Sequence, residues 1–407
     1  MSENALKVER AYRTELEPTN VQRTAFRHHC DAARFAYNWG LQRKLEVWWM
    51  NQLPRPHIKT PSAIDLHREL NARKKTDLGW LYGSSKCAPQ EALRNLDRAF
   101  VNFFEGRARF PRYHSRHRDT RSFRLTGIIR VEDGHLILPR LGRVKLKERG
   151  YLPTARHIRS VTISQKAERW YASLSVEEEL PTPAGLTGEA VGVDLGIAAL
   201  ATVSDGTVIE NPRALFRSLR KLKRLQRAVS RKQKGSKNRE KAQRRVSRVQ
   251  VKVTNVRLDA LHKATTELAR NRPVIVVEAL RPANLLKNRN LAQSLADASF
   301  GKFIRQLEYK CEWNGSRLMK ADPFYPSTKR CSGCGSLQEI PLSKRTYRCL
   351  TCGLVIDRDL NASRNLAMLA ASSVESQNAC GGRATTHKRE PVPRSRNLPA
   401  SVVHTEV

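Results

Sequence analysis

Along residues 1–20 the apolar positions Leu6, Val8 and Tyr12 alternate with polar ones up to the break Glu17-Pro18-Thr19-Asn20, a pattern that predicts one short strand. From about residue 21 to residue 116 the period becomes helical. In residues 91–105, for instance, Leu93, Leu96, Phe100 and Phe103 share one helix face, and Gly106 stops the run. Those four are expected to be plain core. A basic loop follows at 107–124, where Phe110, Tyr113 and Phe123 are interleaved with seven arginines. Alternation then returns: Asp133-Gly134 stands between Ile128-Ile129-Arg130-Val131 and His135-Leu136-Ile137-Leu138, a strong hairpin signal. Val161-Thr162-Ile163 and Trp170-Tyr171-Ala172-Ser173-Leu174 continue it. Residues 1–20 and 117–183 are therefore expected to form a small β-barrel interrupted by a helical insert at 21–116, with a linker at 179–188.

From residue 189 the pattern changes to buried strands alternating with helices. Val191-Gly192-Val193-Asp194-Leu195-Gly196 and Val274-Ile275-Val276-Val277-Glu278 are short apolar runs that each carry a single carboxylate. Between them, residues 213–257 hold Glu240 as their one acidic residue, and Leu215, Leu219, Leu222 and Leu225 mark an apolar stripe on a very basic helical hairpin. Beyond a cysteine cluster at 331–352, Asp357-Arg358-Asp359-Leu360-Asn361 opens an Ala- and Leu-rich helix expected to reach about Ser372, and the polar tail from Val374 is expected to be disordered. The resulting division is α/β and α+β multidomain. An RNase H-like core is placed at 184–327 and 357–373, a zinc ribbon at 328–356 and a flexible basic tail at 374–407.

Charge narrows the function. Lys and Arg number 75 against 38 Asp and Glu, a net charge of +37 with a pI near 10.6. So large an excess repels itself unless a polyanion neutralises it, and nucleic acid is the polyanion expected. A basic membrane-surface protein would gather its cations on one amphipathic helix; here they are spread over the chain. No apolar run approaches the roughly 20 residues that span a bilayer, and the first residues lack the apolar core of a signal peptide. A cytoplasmic protein is expected.

Two constellations carry chemistry. Cys331-Ser332-Gly333-Cys334 and Cys349-Leu350-Thr351-Cys352 are two C-x2-C pairs fourteen residues apart, each followed by a glycine, Gly335 or Gly353. Four thiolates leave no open position, so the zinc expected there is structural. In a reducing compartment two disulfides are the weaker alternative. Cys30, Cys87, Cys311 and Cys380 show no such pairing and are expected to be ordinary thiols. The second constellation is carboxylate. A charge in an apolar strand is costly unless it is paired or binds metal, so Asp194 and Glu278 point to a shared magnesium site. A third acid from the last helix would close it, and Asp359 is the candidate ahead of Asp357, two residues earlier, which could instead cap the helix or pair with a basic residue. The segment GVDLG also occurs in actin-like ATPases, but a second glycine-rich phosphate loop is not evident.

With these residues in view the chain resembles the TnpB/OrfB family of insertion-sequence proteins. The resemblance rests on ARFAYNWGLQRK, FPRYHSR, LILPRLGRVKLK, GVDLGIAALATVSDG, VSRKQKGSKNREKA, FYPSTKRCSGCG, YRCLTCGLVIDRDLNASRNLA and NACGGR, and covers nearly the whole length. It implies an RNA-guided DNA endonuclease whose wedge barrel and helical recognition insert hold a transposon-derived guide RNA. It implies a RuvC-type nuclease with Asp194, Glu278 and Asp359 as catalytic and magnesium-binding acids (two Mg ions), and Cys331, Cys334, Cys349 and Cys352 on one zinc ion. The implied partners are guide RNA and double- and single-stranded target DNA, with one protein monomer per RNA. Type V CRISPR effectors share this core, so a compact CRISPR nuclease is the nearest alternative and a nuclease-inactive RNA-guided DNA-binding protein the next. A strand-joining transposase would reveal itself by joined products, and a zinc-ribbon transcription factor would leave Asp194 and Glu278 unexplained.

Overall fold

A computed structural model describes residues 5–379 except 55, 56, 117, 155, 156, 182, 184, 342 and 343. Among the described residues the chain divides into two units, one of Glu9–Glu178 and the other of the chain from Glu179 together with the first residues up to Val8.

The first unit takes up β1 (Ala5–Glu17) from Glu9 on, a strand longer than expected, and Thr19 then caps α1 (Asn20–Met50) through a reciprocal capping box with Gln22. Helices α2 (Ala63–Arg73) and α3 (Cys87–Phe104) follow. As the spacing predicts, Leu93, Leu96 and Phe103 of α3 are buried, and Gly106 adopts φ 72° just beyond it. Strands β2 (Ser122–Leu125), β3 (Arg130–Glu132), β4 (His135–Leu138), β5 (Gly142–Leu146), β6 (His157–Lys166) and β7 (Arg169–Pro181) come next. Glu132 pairs with His135 across the expected two-residue turn, with Asp133 at φ 44° and Gly134 at φ 72°. The seven strands run in the order β2-β6-β7-β1-β5-β4-β3, with β2 and β3 at its two ends. Closing the expected barrel would require joining those ends. Phe26 of α1 reaches the sheet, its ring 5.0 Å from that of Trp170 and 5.9 Å from that of Phe123, so helices and strands share one continuous core.

The second unit is built on five strands. β8 (Val191–Leu195), β9 (Ala199–Val203) and β10 (Val208–Glu210) are antiparallel neighbours. The basic hairpin α4 (Ala214–Ser230) and α5 (Lys237–Asn271) then leads to β11 (Val274–Glu278), which lies parallel to β8. Short helices α6 (Pro282–Leu285) and α7 (Ala292–Ala298) precede α8 (Phe300–Asn314), which returns the chain to β12 (Arg317–Ala321), parallel to β11. The order β10-β9-β8-β11-β12 accords with the RNase H-like arrangement expected. A small antiparallel pair, β13 (Thr346–Arg348) with β14 (Val355–Asp357), precedes α9 (Arg358–Ala379).

Side-chain alternation assigns the two faces of this sheet. Val191, Val193, Ile275 and Val277 pack in one cluster with Leu261 of α5 and Phe303 and Leu307 of α8. Val276 points the other way, into a cluster with Leu366 and Ala370 of α9. Helix α9 runs past the expected stop near Ser372, and the tail from residue 380 lies outside the described residues. No described helix is long and apolar enough to cross a membrane.

Candidate active site and metal centre

The four cysteines converge. Their sulfur atoms all lie within 4.8 Å of one another, with Cys331 Sγ 3.7 Å from Cys352 Sγ and Cys334 Sγ 3.6 Å from Cys349 Sγ. Four sulfurs around zinc at the usual bond length sit about 3.8 Å apart, so the cluster has the dimensions of a tetrahedral thiolate site. Each pair forms the same knuckle. Gly335 N–H donates to Cys331 O at 2.9 Å and Gly353 N–H to Cys349 O at 3.1 Å, with left-handed φ of 78° and 73° that only glycine adopts cheaply. Cys30 and Cys311 are buried elsewhere, where burial pushes the Cys30 thiol up to about 12; Cys380 lies outside the described residues.

The carboxylates meet by parity and register. Asp194 follows Gly192, and Glu278 follows Val276, by two residues, so both acids belong to the α9 face. β8 and β11 are paired up to Val193 and Val277, and the next step along each strand is Asp194 and Glu278. Burial first, then the negative charges of Glu278 and Asp359, push the Asp194 carboxyl up to about 8. Glu278 is oriented by Ser327, whose hydroxyl donates to its Oε1 at 2.5 Å.

The two acids at the start of α9 have different jobs. Asp357 Oδ1 accepts from the backbone N–H of Asp359 at 2.9 Å and of Leu360 at 3.0 Å, so Asp357 is the helix cap. Asp359, in the first turn, faces Asp194 across one cavity of about 740 Å³ and accepts from Arg345 Nη1 and from Arg358 Nη2, both at 3.0 Å. Arg345 stands directly before β13, so the ribbon hairpin brings it to Asp359. Among the described residues the cysteines alone form a group of three or more ligands already within metal-binding reach of one another. Asp194 and Asp359 line one cleft, with Asp359 engaged by guanidinium groups, and Glu278 lies close enough to Asp194 for its charge to act on that carboxyl.

Against this geometry stand the known proteins. Residues 173–289 match the family described as "Probable transposase" (OrfB_IS605), residues 300–366 the "Cas12f1-like, TNB domain" and residues 5–52 a "Helix-turn-helix domain". A protein of Streptomyces pristinaespiralis named "Putative RNA-guided DNA endonuclease" is 36% identical, over 92% of this chain and 92% of its own. A protein of the same description from Escherichia coli K12 is 34% identical over 88% and 91%. The chain belongs to the TnpB/OrfB family. A Cas12f1 chain, solved by cryo-EM in a complex with sgRNA and target DNA, has the same fold at TM-score 0.56 with 11% identity, covering 89% of this chain and 99% of that one. The segment matched as helix-turn-helix folds in this family member as β1 and the single long helix α1.

Periodicity did not reveal two asparagines that build the site. Asn361 and Asn365, one helical turn apart on α9, are wholly buried. Asn361 Nδ2 donates to Arg330 O at 2.7 Å and its Oδ1 accepts from Ser332 N–H at 2.9 Å; Asn365 Nδ2 donates to Ser327 O at 2.8 Å. Together they fasten to α9 the segment that carries Ser327 towards Glu278 and the first cysteine pair. Their one sequence signal is polarity at i and i+4 within an otherwise Ala- and Leu-rich helix.

Proposed function

We propose that this protein is a transposon-encoded, RNA-guided DNA endonuclease that hydrolyses a phosphodiester bond at Asp194, Glu278 and Asp359. One observation supports the catalytic part: Asp194, from a strand parallel and adjacent to that of Glu278, lines one cleft with Asp359 and feels the charge of both other acids. The names of relatives that match nearly end to end support the guided reading.

The donor set fits magnesium, since it is all oxygen and burial with the neighbouring acid charges raises its central carboxyl, which a bound cation would offset. Bound there, two such ions would activate water and neutralise charge on the leaving oxygen. The chain's own residues prepare the site. Ser327 fixes the orientation of Glu278, and the Asp357 cap fixes the turn that presents Asp359. Arg345 and Arg358 hold the Asp359 carboxylate in place and put positive charge where a DNA phosphate arrives. The four-cysteine cluster holds one structural zinc. In the first unit we assign the seven-stranded sheet as the wedge barrel, and with its helices it holds the guide RNA. The guide reads the target by base pairing, while the protein reads a short flanking motif.

The experiment is expression with the native downstream DNA, sequencing of the RNA that copurifies, and cleavage of a target library with randomised flanks. One dominant structured RNA and guide-matched cleavage are expected. Soluble, nucleic-acid-free protein that cuts DNA without RNA is the contrary result.

A further inference from the structure

The cleft beside Asp194 and Asp359 has two chemically different kinds of lining. Arg213, Arg345 and Arg358 make part of its lining cationic, while Phe216, Leu285 and Leu291 make part of it apolar. Within it Phe216 is anomalous: its ring is 72% exposed, yet it lines the same cavity as two candidate catalytic acids. Isolated exposed apolar residues are ordinary on a protein surface. Phe216 differs because its backbone is held with care. Arg213 adopts a left-handed φ of 43°, and its N–H donates to Asn211 Oδ1 at 3.0 Å. The N–H of Leu215 donates to Asp297 Oδ2 at 2.9 Å, and buried Asp297 is itself paired to Arg257 at 2.6 Å. The turn that presents Phe216 is thus locked from α5 and α7.

A DNA duplex offers phosphates outside and hides its base faces, whereas an unpaired strand offers phosphate and an open π-face together. The cleft is built for the second. We propose that Phe216 is the platform on which an unpaired base of the strand being cut stacks, fixing that strand's register against the acids. This rests on the nuclease reading above and goes beyond it by naming the residue that positions the substrate and the feature of the substrate it recognises.

The test uses the full chain with its copurified RNA and single-stranded oligonucleotides carrying 2-aminopurine or an abasic position at successive sites around the scissile phosphate. Stacking on an aromatic ring is a strong, sequence-tolerant contact, so F216A should raise KM for the cut strand by about tenfold with kcat changed less. F216W should restore it. At one position 2-aminopurine should be quenched in the wild type and not in F216A. An abasic substitution there should weaken the wild type and leave F216A no worse. F216A with wild-type KM and unchanged 2-aminopurine emission would overturn the proposal, as would F216W as defective as F216A. Asp194→Ala separates the two readings. If that variant is inactive while quenching persists, the nuclease assignment stands whatever Phe216 does; if it cuts at the wild-type rate, the nuclease assignment itself falls.

Discussion

Gly192 of β8 lies directly under Ser363 of α9, so close that a Cβ added to the glycine would collide with the Ser363 carbonyl and come within 2.6 Å of Ala367 N and 2.8 Å of Leu366 Cβ. The contact sets the site. Asp194 is two residues on from Gly192, on the same face of the strand, and Asp359 is one helical turn before Ser363. Backbone-to-backbone approach at the glycine therefore seats the last acid above the first.

Gly192→Ala should push α9 off the sheet. Overpacking of this kind costs about 1–3 kcal/mol, and here the obstacle is main chain that cannot rotate away. A lowered melting temperature and loss of cleavage are expected, with zinc content and bound RNA retained. Wild-type cleavage by Gly192→Ala would disprove the link between this packing and the acids.

Replacing Asp194, Glu278 or Asp359 singly with Ala should abolish cleavage while guide binding and guide-dependent DNA binding persist, because phosphate contacts are made elsewhere on the basic surface. Asp357→Ala should lose a helix cap worth about 1 kcal/mol and keep part of the activity. Asp194→Ala cutting a matched target at the wild-type rate, with contaminating nucleases excluded, refutes the assignment.

Burial, then the charges of Glu278 and Asp359, push the Asp194 carboxyl from an ordinary 3.8 up to about 8 in the folded chain. Between about pH 4 and 8 the folded state then holds more protons than the unfolded one, so metal-free protein should lose stability as pH rises through that window. The penalty is absent below about pH 4 and complete above about pH 8. Magnesium should relieve it, so the rise in melting temperature on adding magnesium should be larger at pH 8 than at pH 5. Asp194→Asn should flatten the slope; a variant as pH-dependent as the wild type would speak against it.

Purified protein should carry about one zinc per chain. Cys331→Ser or Cys349→Ser, or a strong chelator, should unfold the ribbon because structural zinc binding is coupled to folding. Arg345 would then lose its fixed position beside Asp359, and cleavage should fall with the metal. Elemental analysis that finds no zinc in freshly purified, active protein would exclude this.

Much of the molecule is written in local pattern. The turn at Asp133-Gly134, the apolar face of α3, the strands around Asp194 and Glu278 and the paired cysteine knuckles all depend on residues a few positions apart, where periodicity and turn chemistry act directly. What tertiary structure alone decided lies between distant segments. That Gly192 is needed for contact with α9 is invisible until the helix is laid across the strand, since glycine in a strand could equally mark a bulge. Asp357 and Asp359 are both acids at a helix start, and only the fold shows one capping the backbone while the other reaches the cleft. Asn361 and Asn365 look like surface polarity until the chain before the ribbon passes over them and takes up their amides. Phe216 looks like one exposed aromatic beside the leucine stripe of a basic helix, and the fold instead sets it in the lining of the cleft that holds Asp194 and Asp359. Each of these depends on partners brought together by burial across the chain, and burial is a property of the assembled fold rather than of any window of sequence.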